Sequence, residues 1–357
     1  MKISIIVGTR PEIIKMSPII RICEKKSLNY FILHTGQHYS YEMDKIFFEE
    51  IKLPQPKYNL NVGSGNHGKQ TGQILTKVEE ILITEKPDIV LVEGDTNSVL
   101  AGALAASKLH IKVGHVEAGL RSYDKAMPEE LNRVVTDHIS DLLFAPTKLE
   151  RKILYNEGIK KGVYITGNTI VDAVNENLKI AKQKIDIFKN FDLKKKSYIL
   201  LTIHRQENVD DLQKLKGILD GLALLYKNLD MPIIFPIHPR TKKKIESFNV
   251  KIPNGVSIID PVGFLNFIWL EKNAKLILTD SGGVQEEACI LKVPCVTLRE
   301  NTERPQTIYV GANMLAGTDP KKILLASKKM LEKKNIWSNP FGDGKAGKRI
   351  IDIVLNE

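Results

Sequence analysis

Short apolar runs rich in β-branched residues recur along the chain, with amphipathic stretches between them. We predict strands in these runs, at residues 3–7, 30–34, 89–93, 112–116, 198–203, 233–237, 256–259, 276–279 and 295–298. Such an alternation of strands and helices indicates parallel sheets with helices packed on both faces. Because each run is apolar throughout, we expect each strand to be buried on both faces.

A long, strongly charged segment, residues 175–196, separates two sets of strands and is typical of an amphipathic helix followed by a domain connection. A chain of 357 residues accommodates about two domains. We therefore predict an α/β fold with two Rossmann-like, doubly wound domains, residues 1–170 and 171–343, that face one another across a cleft. Ligands of such folds bind at the carboxyl ends of the strands.

The composition, 43% hydrophobic and 26% charged residues, is that of a globular protein and excludes disorder as the main state. No apolar stretch approaches the ~20 residues that span a bilayer, and the first run ends at Gly8, so it predicts a strand and not a signal peptide. The three cysteines form no CxxC pair, which argues against a disulfide framework or a zinc site. We expect a protein of the reducing cytoplasm that binds no membrane and no metal ion.

A net charge of +10 raises the question of a nucleic-acid partner. The lysines argue against one, because they lie in scattered short runs with few aromatic residues among them. We therefore predict no nucleic-acid partner, since a small anionic substrate needs only a few of these cations.

Polar clusters follow six of the predicted strands, where the functional residues of doubly wound domains lie. The clusters are Gly8-Thr9-Arg10-Pro11-Glu12, Thr35-Gly36-Gln37-His38, Gly94-Asp95-Thr96-Asn97, Glu117-Ala118-Gly119-Leu120-Arg121, His204-Arg205-Gln206-Glu207 and Asp280-Ser281-Gly282-Gly283. Turns alone favour Gly, Asp and Asn, so one such cluster would carry little weight. Six of them indicate a binding edge on each sheet.

The segment Ser281-Gly282-Gly283 opens a predicted helix, where backbone N–H groups and the helix dipole favour a phosphate. The alternative is a plain serine N-cap. The second glycine, which a cap does not need, and Arg299 and Arg304 after the next strand favour the phosphate. Arg10 and Lys15, in the first strand-to-helix turn of the other domain, could close on the same anion. Two phosphates held from two sides suggest a nucleoside diphosphate.

A glycine-rich segment, residues 63–70, matches G-x-G-x-x-G and nearly matches a nucleotide phosphate loop. The preceding residues 58–62 alternate polar and apolar, unlike a central parallel strand, and Gln70 replaces the hydroxyl residue that would bind magnesium. We predict instead a flexible loop that opens a helix from about residue 71 to 84, and no nicotinamide cofactor.

Asp95, Glu117 and Glu129 are carboxylates at or beyond strand ends, and His204 heads the loop after the first strand of the second domain. Any single exposed acid is usually solubilising, and Glu129 after Pro128 could be a plain helix start. Small residues beside Asp95 and Glu117 leave room for a ligand, which favours a catalytic role. His115 and His138 have no partners at metal-ligand spacing, so we predict hydrogen-bonded interior residues.

A set of motifs spread over nearly the whole chain carries a resemblance to a known family. The motifs are Gly8-Thr9-Arg10-Pro11-Glu12, Gly94-Asp95-Thr96, His115-Val116-Glu117-Ala118-Gly119-Leu120-Arg121, Pro128-Glu129-Glu130-Leu131-Asn132-Arg133, Gly167-Asn168-Thr169, His204-Arg205, Asp280-Ser281-Gly282-Gly283-Val284-Gln285-Glu286-Glu287 and Thr302-Glu303-Arg304-Pro305. Together they closely resemble the non-hydrolysing UDP-N-acetylglucosamine 2-epimerases. The resemblance implies a glycosyltransferase-B-like fold, a homodimer, and interconversion of UDP-GlcNAc and UDP-ManNAc for cell-surface polysaccharide. It also implies a C-terminal helix, from about residue 344 to 354 within the segment 344–357, that packs back on the first domain.

Carried over position by position, the resemblance implies four catalytic residues, which are Asp95, Glu117, Glu129 and His204. It places the nucleotide contacts on Arg10, Lys15, Phe267, Ser281, Gly282, Gly283, Glu287 and Arg304. Glu287 is the residue expected at the ribose hydroxyls.

Two positions depart from the family pattern. Val262 stands where some bacterial members have a glutamine near the uracil, so that contact must come from the backbone or be absent. The segment 37–45 lacks the glutamines that bind an activating second UDP-GlcNAc in bacterial members, which weakens the expectation of allosteric activation.

The chemistry of the reaction supports these residue types independently. The C2 hydrogen of an N-acetylhexosamine has no adjacent carbonyl, so its direct abstraction gives an unstabilised carbanion. Departure of UDP builds oxocarbenium character at C1, which acidifies C2–H and is stabilised by a nearby carboxylate. UDP then adds back to the 2-acetamidoglucal after a proton reaches the other face of C2. Inversion therefore needs acid–base groups on both faces.

Four alternatives remain open. One is a hydrolysing 2-epimerase that releases ManNAc and UDP, and another is a paralogue that acts on a UDP-diacetamido-uronic acid. A glycosyltransferase of the same fold would bind a UDP-sugar but need an acceptor site. A non-catalytic nucleotide-sugar sensor would have no need of the four candidate catalytic residues.

Overall fold

The computed structural model describes residues 1–37, 41–184 and 193–357. The chain divides into two compact units, which we call the first unit (Met1–Glu176 with Phe341–Glu357) and the second unit (Asn177–Pro340). Each unit contains a parallel sheet with helices between successive strands, which confirms the predicted fold of two doubly wound α/β domains.

The elements of the first unit follow the predicted alternation of strands and helices. They are β1 (Lys2–Val7), α1 (Arg10–Lys25), β2 (Asn29–His34), α2 (Tyr41–Glu50), β3 (Tyr58–Asn59), α3 (His67–Glu85), β4 (Ile89–Glu93), α4 (Asn97–Lys108), β5 (Lys112–Val116), α5 (Pro128–Ile139), β6 (Leu142–Ala145), α6 (Lys148–Asn156), β7 (Val163–Ile165) and α7 (Thr169–Lys184). The division between the units falls inside α7.

The strand order of the first sheet, β3-β2-β1-β4-β5-β6-β7, reverses its direction between β1 and β4. A crevice opens outside the carboxyl ends of the strands at such a switch point. The turn after β1 packs tightly there, since a Cβ on Gly8 would lie 2.4 Å from Thr35 Oγ1 and 2.0 Å from Ser98 Oγ. The side chains that follow β1 and β4 therefore meet at one edge of the sheet.

The second unit begins its sheet after residue 198. Its elements are β8 (Ile199–Thr202), α8 (Gln206–Val209), α9 (Leu212–Leu229), β9 (Ile233–Pro236), α10 (Pro239–Ser247), β10 (Val256–Ile259), α11 (Phe264–Asn273), β11 (Leu276–Thr279), α12 (Gly282–Leu291), β12 (Cys295–Thr297), α13 (Pro305–Tyr309), β13 (Asn313–Leu315) and α14 (Pro320–Glu332). The order β10-β9-β8-β11-β12-β13 places the switch point between β8 and β11. One apolar core lies under α9 and α14, with Leu201, Leu222, Phe235, Leu278 and Ile323 buried in it.

A final helix, α15 (Ala346–Asn356), packs on α1 within the first unit. Gly347 permits the close approach, because a Cβ there would lie 3.1 Å from Pro18 Cβ. The buried Asp172 carboxylate accepts hydrogen bonds from the N–H groups of Ala346 and Gly347, at 3.2 and 3.1 Å, and so satisfies the helix N-terminus.

The structure differs from the sequence predictions at several elements. Strands β3, β6, β7 and β13 were not predicted, and β10 is a half-exposed edge strand, so the expectation of burial on both faces is wrong for it. Helix α3 begins at His67, earlier than predicted, inside the glycine-rich segment. Of the segment 175–196, residues 185–192 lie outside the described residues.

Candidate active site

Asp95 lies in the turn after β4, at the switch point of the first sheet. Its carboxylate pairs with Arg133 of α5, and its carbonyl accepts a hydrogen bond from Asn132 Nδ2 at 2.9 Å. Asn132 also bonds the Asn97 side chain at 3.2 Å. Helix α5 therefore fixes the turn, while the Asp95 side chain keeps 31% of its surface exposed.

Glu117 lies directly after β5, the neighbour of β4, and has an unusual backbone. Its φ of 68° places a non-glycine residue in the left-handed region, and such conformations cluster at functional sites. Its buried carboxylate pairs with Lys15 Nζ. Lys15 Nζ also lies 3.2 Å from Oε1 of Glu93, the last residue of β4. One ammonium group thus sits between two buried carboxyl groups.

Glu12, in the first turn of α1, is a third buried acid at this edge. Its carboxyl accepts hydrogen bonds from the Gly8 N–H at 2.5 Å and from Thr9 Oγ1 at 3.1 Å. Burial raises the pKa of Glu12 to about 7, although hydrogen bonds from Thr96, Gly8 and Thr9 oppose the rise. The first unit therefore gathers carboxyl groups of different proton affinity at one sheet edge.

Glu129 and Glu130 open α5 behind Pro128, and the structure gives them different surroundings. Glu130 is buried and accepts hydrogen bonds from the N–H groups of Ser122 and Tyr123 at 2.8 and 2.9 Å, so it holds the preceding loop. Glu129 is half-buried and makes no hydrogen bond or ion pair with the described residues. The carboxylate that the sequence singles out is thus the one available to a ligand.

The two histidines predicted to be interior residues differ. His115 is fully buried, with Nδ1 2.7 Å from Asp137 Oδ1 and Nε2 2.8 Å from the Gly94 carbonyl. His138 is exposed, and its Nδ1 bonds only the Val134 carbonyl of its own helix, at 2.8 Å. The prediction is correct for His115 and wrong for His138, because His138 lies on the solvent side of α5.

Arg10 and Lys15 share α1 but not their surroundings. The Arg10 guanidinium lies over the Phe47 ring, 5.3 Å from its centroid. Lys15 points to Glu93 and Glu117, so the structure places its charge with carboxylates, where the sequence predicted a nucleotide contact. The nucleotide contact of Lys15 stays a prediction.

In the second unit, Asp280 organises the turn after β8. Its fully buried carboxylate accepts hydrogen bonds from the N–H groups of His204 and Arg205, at 3.1 and 3.0 Å, and from Asn208 Nδ2 at 3.2 Å. His204 Nδ1 lies 3.4 Å from Asp280 Oδ1. The pKa of His204 is lowered, chiefly by burial. The nearby His238 and Arg205 charges lower it further, and the Asp280 carboxylate opposes the shift without cancelling it. The lowered pKa favours the neutral form of the His204 imidazole.

A cavity of about 230 Å³ opens at the carboxyl ends of β8, β9 and β11. It is lined by His204, His238, Val262, Phe267 and Ser281, among others. The pocket thus brings together His204, predicted to be catalytic, and Phe267 and Ser281, both predicted to contact the nucleotide. Its walls are largely apolar, which suits a planar base, and Val262 offers no side-chain polar group to it.

The start of α12 supplies the polar end of this pocket. Ser281 occupies the N-cap position, but its hydroxyl makes no capping hydrogen bond. A Cβ on Gly282 would meet nothing closer than 3.7 Å, and one on Gly283 nothing closer than 3.9 Å. Neither packing nor a positive φ requires these glycines, so the space above them suits the close approach of a phosphate to the helix N-terminus.

The two arginines after β12 have different partners. Arg304 Nε lies 2.6 Å from Oε1 of the buried Glu286. Arg299 is buried, with Glu207 at 2.7 Å, two bonds to Glu303 at 2.8 and 2.9 Å, and Asn301 at 3.1 Å. Four of the five guanidinium N–H donors are thus used within the protein, and Arg299 acts as a structural clamp.

The comparisons with known proteins decide the family. The family model for UDP-N-acetylglucosamine 2-epimerase matches residues 21–355. The chain belongs to this family. It is 59% identical to the UDP-N-acetylglucosamine 2-epimerase of Methanocaldococcus jannaschii, over 99% of each chain. It is 42% identical to the UDP-2,3-diacetamido-2,3-dideoxy-D-glucuronate 2-epimerase of Pseudomonas aeruginosa, again over 99% of each chain.

Solved structures agree with this assignment. The crystal structure of the Methanocaldococcus jannaschii UDP-GlcNAc 2-epimerase in complex with UDP-GlcNAc and UDP matches with a TM-score of 0.89 at 58% identity, over 100% of both chains. A glycosyltransferase from Streptomyces nogalater matches with a TM-score of 0.55 at 12% identity, over 99% of this chain and 94% of that one, and so shares the fold alone. The glycosyltransferase-B-like fold is therefore confirmed.

For a UDP-N-acetylglucosamine 2-epimerase, the most notable residues that sequence reasoning missed are buried acids. In the first unit, Glu12 stands in the first polar cluster but was given no role of its own, and Glu93 was missed. In the second unit, Glu271 is fully buried and its carboxyl group lies near that of Glu287, the predicted ribose contact. Burial raises the pKa of Glu271 well above its usual range, and the Glu287 charge adds to the rise.

Some predictions concern residues outside the described ranges, and others can be stated for those ranges only. Residues 38–40 and the side chains of 41–44, on which the expectation about allosteric activation depends, lie outside the described residues. In the described ranges, no three His, Cys, Asp or Glu side chains come together in a way that could hold a metal ion. Among the described helices, none is long and apolar enough to cross a bilayer.

Proposed function

We propose that this protein interconverts UDP-GlcNAc and UDP-ManNAc by elimination and readdition of UDP, without a nicotinamide cofactor. The single observation that carries this proposal is the pair Asp95 and Glu117. They follow neighbouring strands whose register pairs Glu93 with Val116, so two acid–base side chains sit side by side at one sheet edge. The likeness to UDP-GlcNAc 2-epimerases over the whole chain supports the same substrate.

In the first step, the bond between C1 and the β-phosphate oxygen breaks, and UDP leaves with the electron pair. A carboxylate takes the proton from C2, and the electrons of the C–H bond form the C1–C2 double bond of a 2-acetamidoglucal. Oxocarbenium character at C1 is stabilised by a second carboxylate. Asp95, Glu117 and Glu129 are the groups we assign to these roles.

In the second step, a protonated group delivers a proton to the opposite face of C2, and the β-phosphate oxygen of UDP adds back to C1. A carboxyl group in its protonated form suits this donor role, whereas His204, as a neutral imidazole, is suited to accept a proton. Enzyme groups of unlike proton affinity let acid and base coexist at one pH.

We assign the nucleotide to the second unit. The apolar cavity with Phe267 and Val262 would take the uracil, and Ser281, Gly282 and Gly283 would take the diphosphate at the start of α12. Glu287 would hold the ribose hydroxyls, and Arg304 and Arg10 would neutralise phosphate charge. UDP held in this way stays at hand as the returning nucleophile.

The test is to incubate the purified protein with UDP-GlcNAc, with no added NAD or metal, and to follow the sugars by NMR. We expect reversible formation of UDP-ManNAc. Stoichiometric release of UDP and ManNAc would place the protein with the hydrolysing enzymes, and no reaction of UDP-GlcNAc would refute the proposal. A parallel incubation with a UDP-diacetamido-glucuronate tests the substrate of the Pseudomonas aeruginosa relative.

We further propose a cytoplasmic homodimer. The three cysteines are free and buried, as suits a reducing compartment. Leu131 and Val135 leave 54% and 41% of their surfaces exposed on α5, which suits a subunit interface. Size-exclusion chromatography with light scattering measures the molar mass in solution and tests the dimer. A monomer at all concentrations would contradict it.

A further inference from the structure

Glu93 is a buried acid that the proposed reaction does not use. It ends β4, and 2% of its side chain is exposed. It lies two residues before Asp95, and its strand partner is Val116, the residue before Glu117. Backbone pairing therefore holds Glu93 against the residues assigned to the reacting sugar.

The side-chain contacts of Glu93 lead to Glu117. The two carboxyl groups lie on either side of Lys15 Nζ and are close enough to share a hydrogen bond. Lys15 Nζ pairs with Glu117 and lies 3.2 Å from Glu93 Oε1. Two carboxyl groups can form a hydrogen bond only when one of them carries a proton, because an ionised carboxylate has no donor.

Lys15 Nζ lies closer to the Glu117 carboxylate than to that of Glu93, which favours the negative charge on Glu117 and the proton on Glu93. The charged groups that face it are Lys15 and Glu12 from α1 and Glu117 from the turn after β5. Burial raises the pKa of Glu93 well above its usual range, Glu117 and Glu12 add to the rise, and Lys15 alone opposes it. One ammonium group cannot balance three ionised acids in a buried site.

We propose that Glu93 is a positioning residue, which donates a hydrogen bond to Glu117 and, with Lys15, holds that carboxylate ionised and correctly oriented for the proton transfer at C2. This inference rests on the proposed function. Glu93 does not itself touch the substrate. A donated hydrogen bond stabilises the charged form of Glu117, so its loss makes Glu117 easier to protonate.

Two substitutions separate the hydrogen bond that Glu93 donates from the volume of its side chain. Glu93→Gln keeps the shape and supplies an amide N–H that can donate to Glu117. Glu93→Leu keeps a similar volume but removes the donor. Glu80→Gln, on the exposed face of α3, is the matched control. Rates of epimerisation are measured with UDP-GlcNAc from about pH 5 to about pH 9.

We expect Glu93→Gln to keep kcat within about threefold and to leave the pH profile unchanged. Glu93→Leu should lower kcat by about 100-fold with little change in KM, since a small misplacement of a catalytic group has this effect. It should also move the acidic limb of the kcat/KM profile up by about one pH unit, as follows from losing a hydrogen bond to a charged group. A purely structural role would not move that limb.

Infrared spectroscopy supplies a readout that needs no activity. The buried carboxyl groups of Glu12 and Glu271 also contribute carbonyl bands at neutral pH, so the spectrum of each Glu93 variant is subtracted from that of the wild type. Each difference spectrum should contain the carbonyl band of one buried protonated carboxyl group. Absence of that band, an unshifted profile with normal kcat in Glu93→Leu, or equal inactivity of both variants would overturn the proposal. If the wild type forms no UDP-ManNAc, the proposed function fails, and the infrared difference band still decides whether Glu93 carries the proton. If Glu93→Leu does not fold, Glu93→Gln and its difference band still test the proposal.

Discussion

The buried Asp280 carboxylate accepts a hydrogen bond from the His204 N–H at 3.1 Å, and its Oδ1 lies 3.4 Å from His204 Nδ1. The two residues follow neighbouring strands, β11 and β8, on either side of the switch point of the second sheet. Asp280 thus holds both the backbone and the ring of His204 at the mouth of the cavity. The position of His204 therefore depends on a carboxylate that is fully buried.

We expect Asp280→Asn to impair His204 without removing it. The new amide would direct N–H groups at the backbone donors of His204 and Arg205, so hydrogen bonds are lost in a buried place. Stability should fall by about 2 kcal/mol, and the rate of epimerisation by about 100-fold. Thermal unfolding and rate assays measure the two effects, with the exposed Asp220→Asn as control. A variant with wild-type stability and rate would contradict this role.

Asp95→Asn and Glu117→Gln should remove most turnover while UDP still binds. These side chains are assigned to the reacting sugar, and loss of a general acid or base typically costs 10²–10⁴-fold. Turnover is followed by NMR and UDP affinity by calorimetry, with Glu80→Gln as the matched control. A near-normal rate in Asp95→Asn, or equal loss of UDP affinity in both variants, would show that the assignment is wrong.

Gly282→Ala should separate stability from binding. A Cβ at this position has room, 3.7 Å from Glu303 Oε2, so the variant should fold and unfold at the wild-type temperature or slightly above it. The same methyl group would stand where we place the diphosphate, so UDP affinity should fall at least about tenfold. Calorimetry and thermal unfolding measure the two quantities.

Gly102→Ala serves as a control for Gly282→Ala, because it should change stability and leave UDP binding unchanged. Its Cβ would lie 2.9 Å from Ile6 Cδ1 in the first unit, so it should lower stability and leave the intrinsic UDP affinity of folded protein unchanged. Unchanged UDP affinity in Gly282→Ala would exclude the start of α12 as the phosphate site.

The raised pKa of Glu12 predicts a pH-dependent contribution to stability. The folded protein binds this proton more tightly than the unfolded chain, so the contribution of Glu12 is fully present below about pH 4.5 and is lost as the pH rises through about 7. The shift from 4.5 to about 7 corresponds to about 3 kcal/mol. Relative to Glu12→Gln, the wild type should therefore lose about 3 kcal/mol of unfolding free energy across this range.

Urea unfolding of the wild type and Glu12→Gln at about pH 5 and about pH 8 measures this difference. The comparison cancels the titration of groups common to both proteins. Glu80→Gln, which changes an exposed acid, should show no such pH dependence. A constant difference between wild type and Glu12→Gln would mean that Glu12 titrates normally in the folded protein.

The predictability of the fold follows from the strength of the apolar pattern. Strands such as β1, β4 and β11 are buried on both faces, and the uninterrupted apolar run of each one predicts this burial. Strands β7 and β13 have three residues each and keep half-exposed positions at or near a sheet edge, so no run marks them. β10 has an apolar run yet lies at an edge, because sequence does not reveal which strands have two neighbours.

The site was predictable where motifs follow strands and less so where charge is buried. The clusters around Asp95, Glu117, His204 and Ser281 lie at the carboxyl ends of strands, as their positions in sequence require. Glu12 and Glu93 lie inside a helix and a strand, where an acid ordinarily faces water. Glu93 could have been found from its place at the end of a fully apolar run. A carboxyl group buried there must be paired with a cation or carry a proton.

Solvent deuterium at C2 of the product tests the elimination route most directly. With UDP-GlcNAc in deuterated water and no added NAD, we predict that UDP-ManNAc forms with deuterium at C2, because the proton that returns to the opposite face comes from groups that exchange with solvent. Free UDP and ManNAc should appear far more slowly. UDP-ManNAc that carries no deuterium, or that forms only when NAD is added, would contradict the mechanism proposed here.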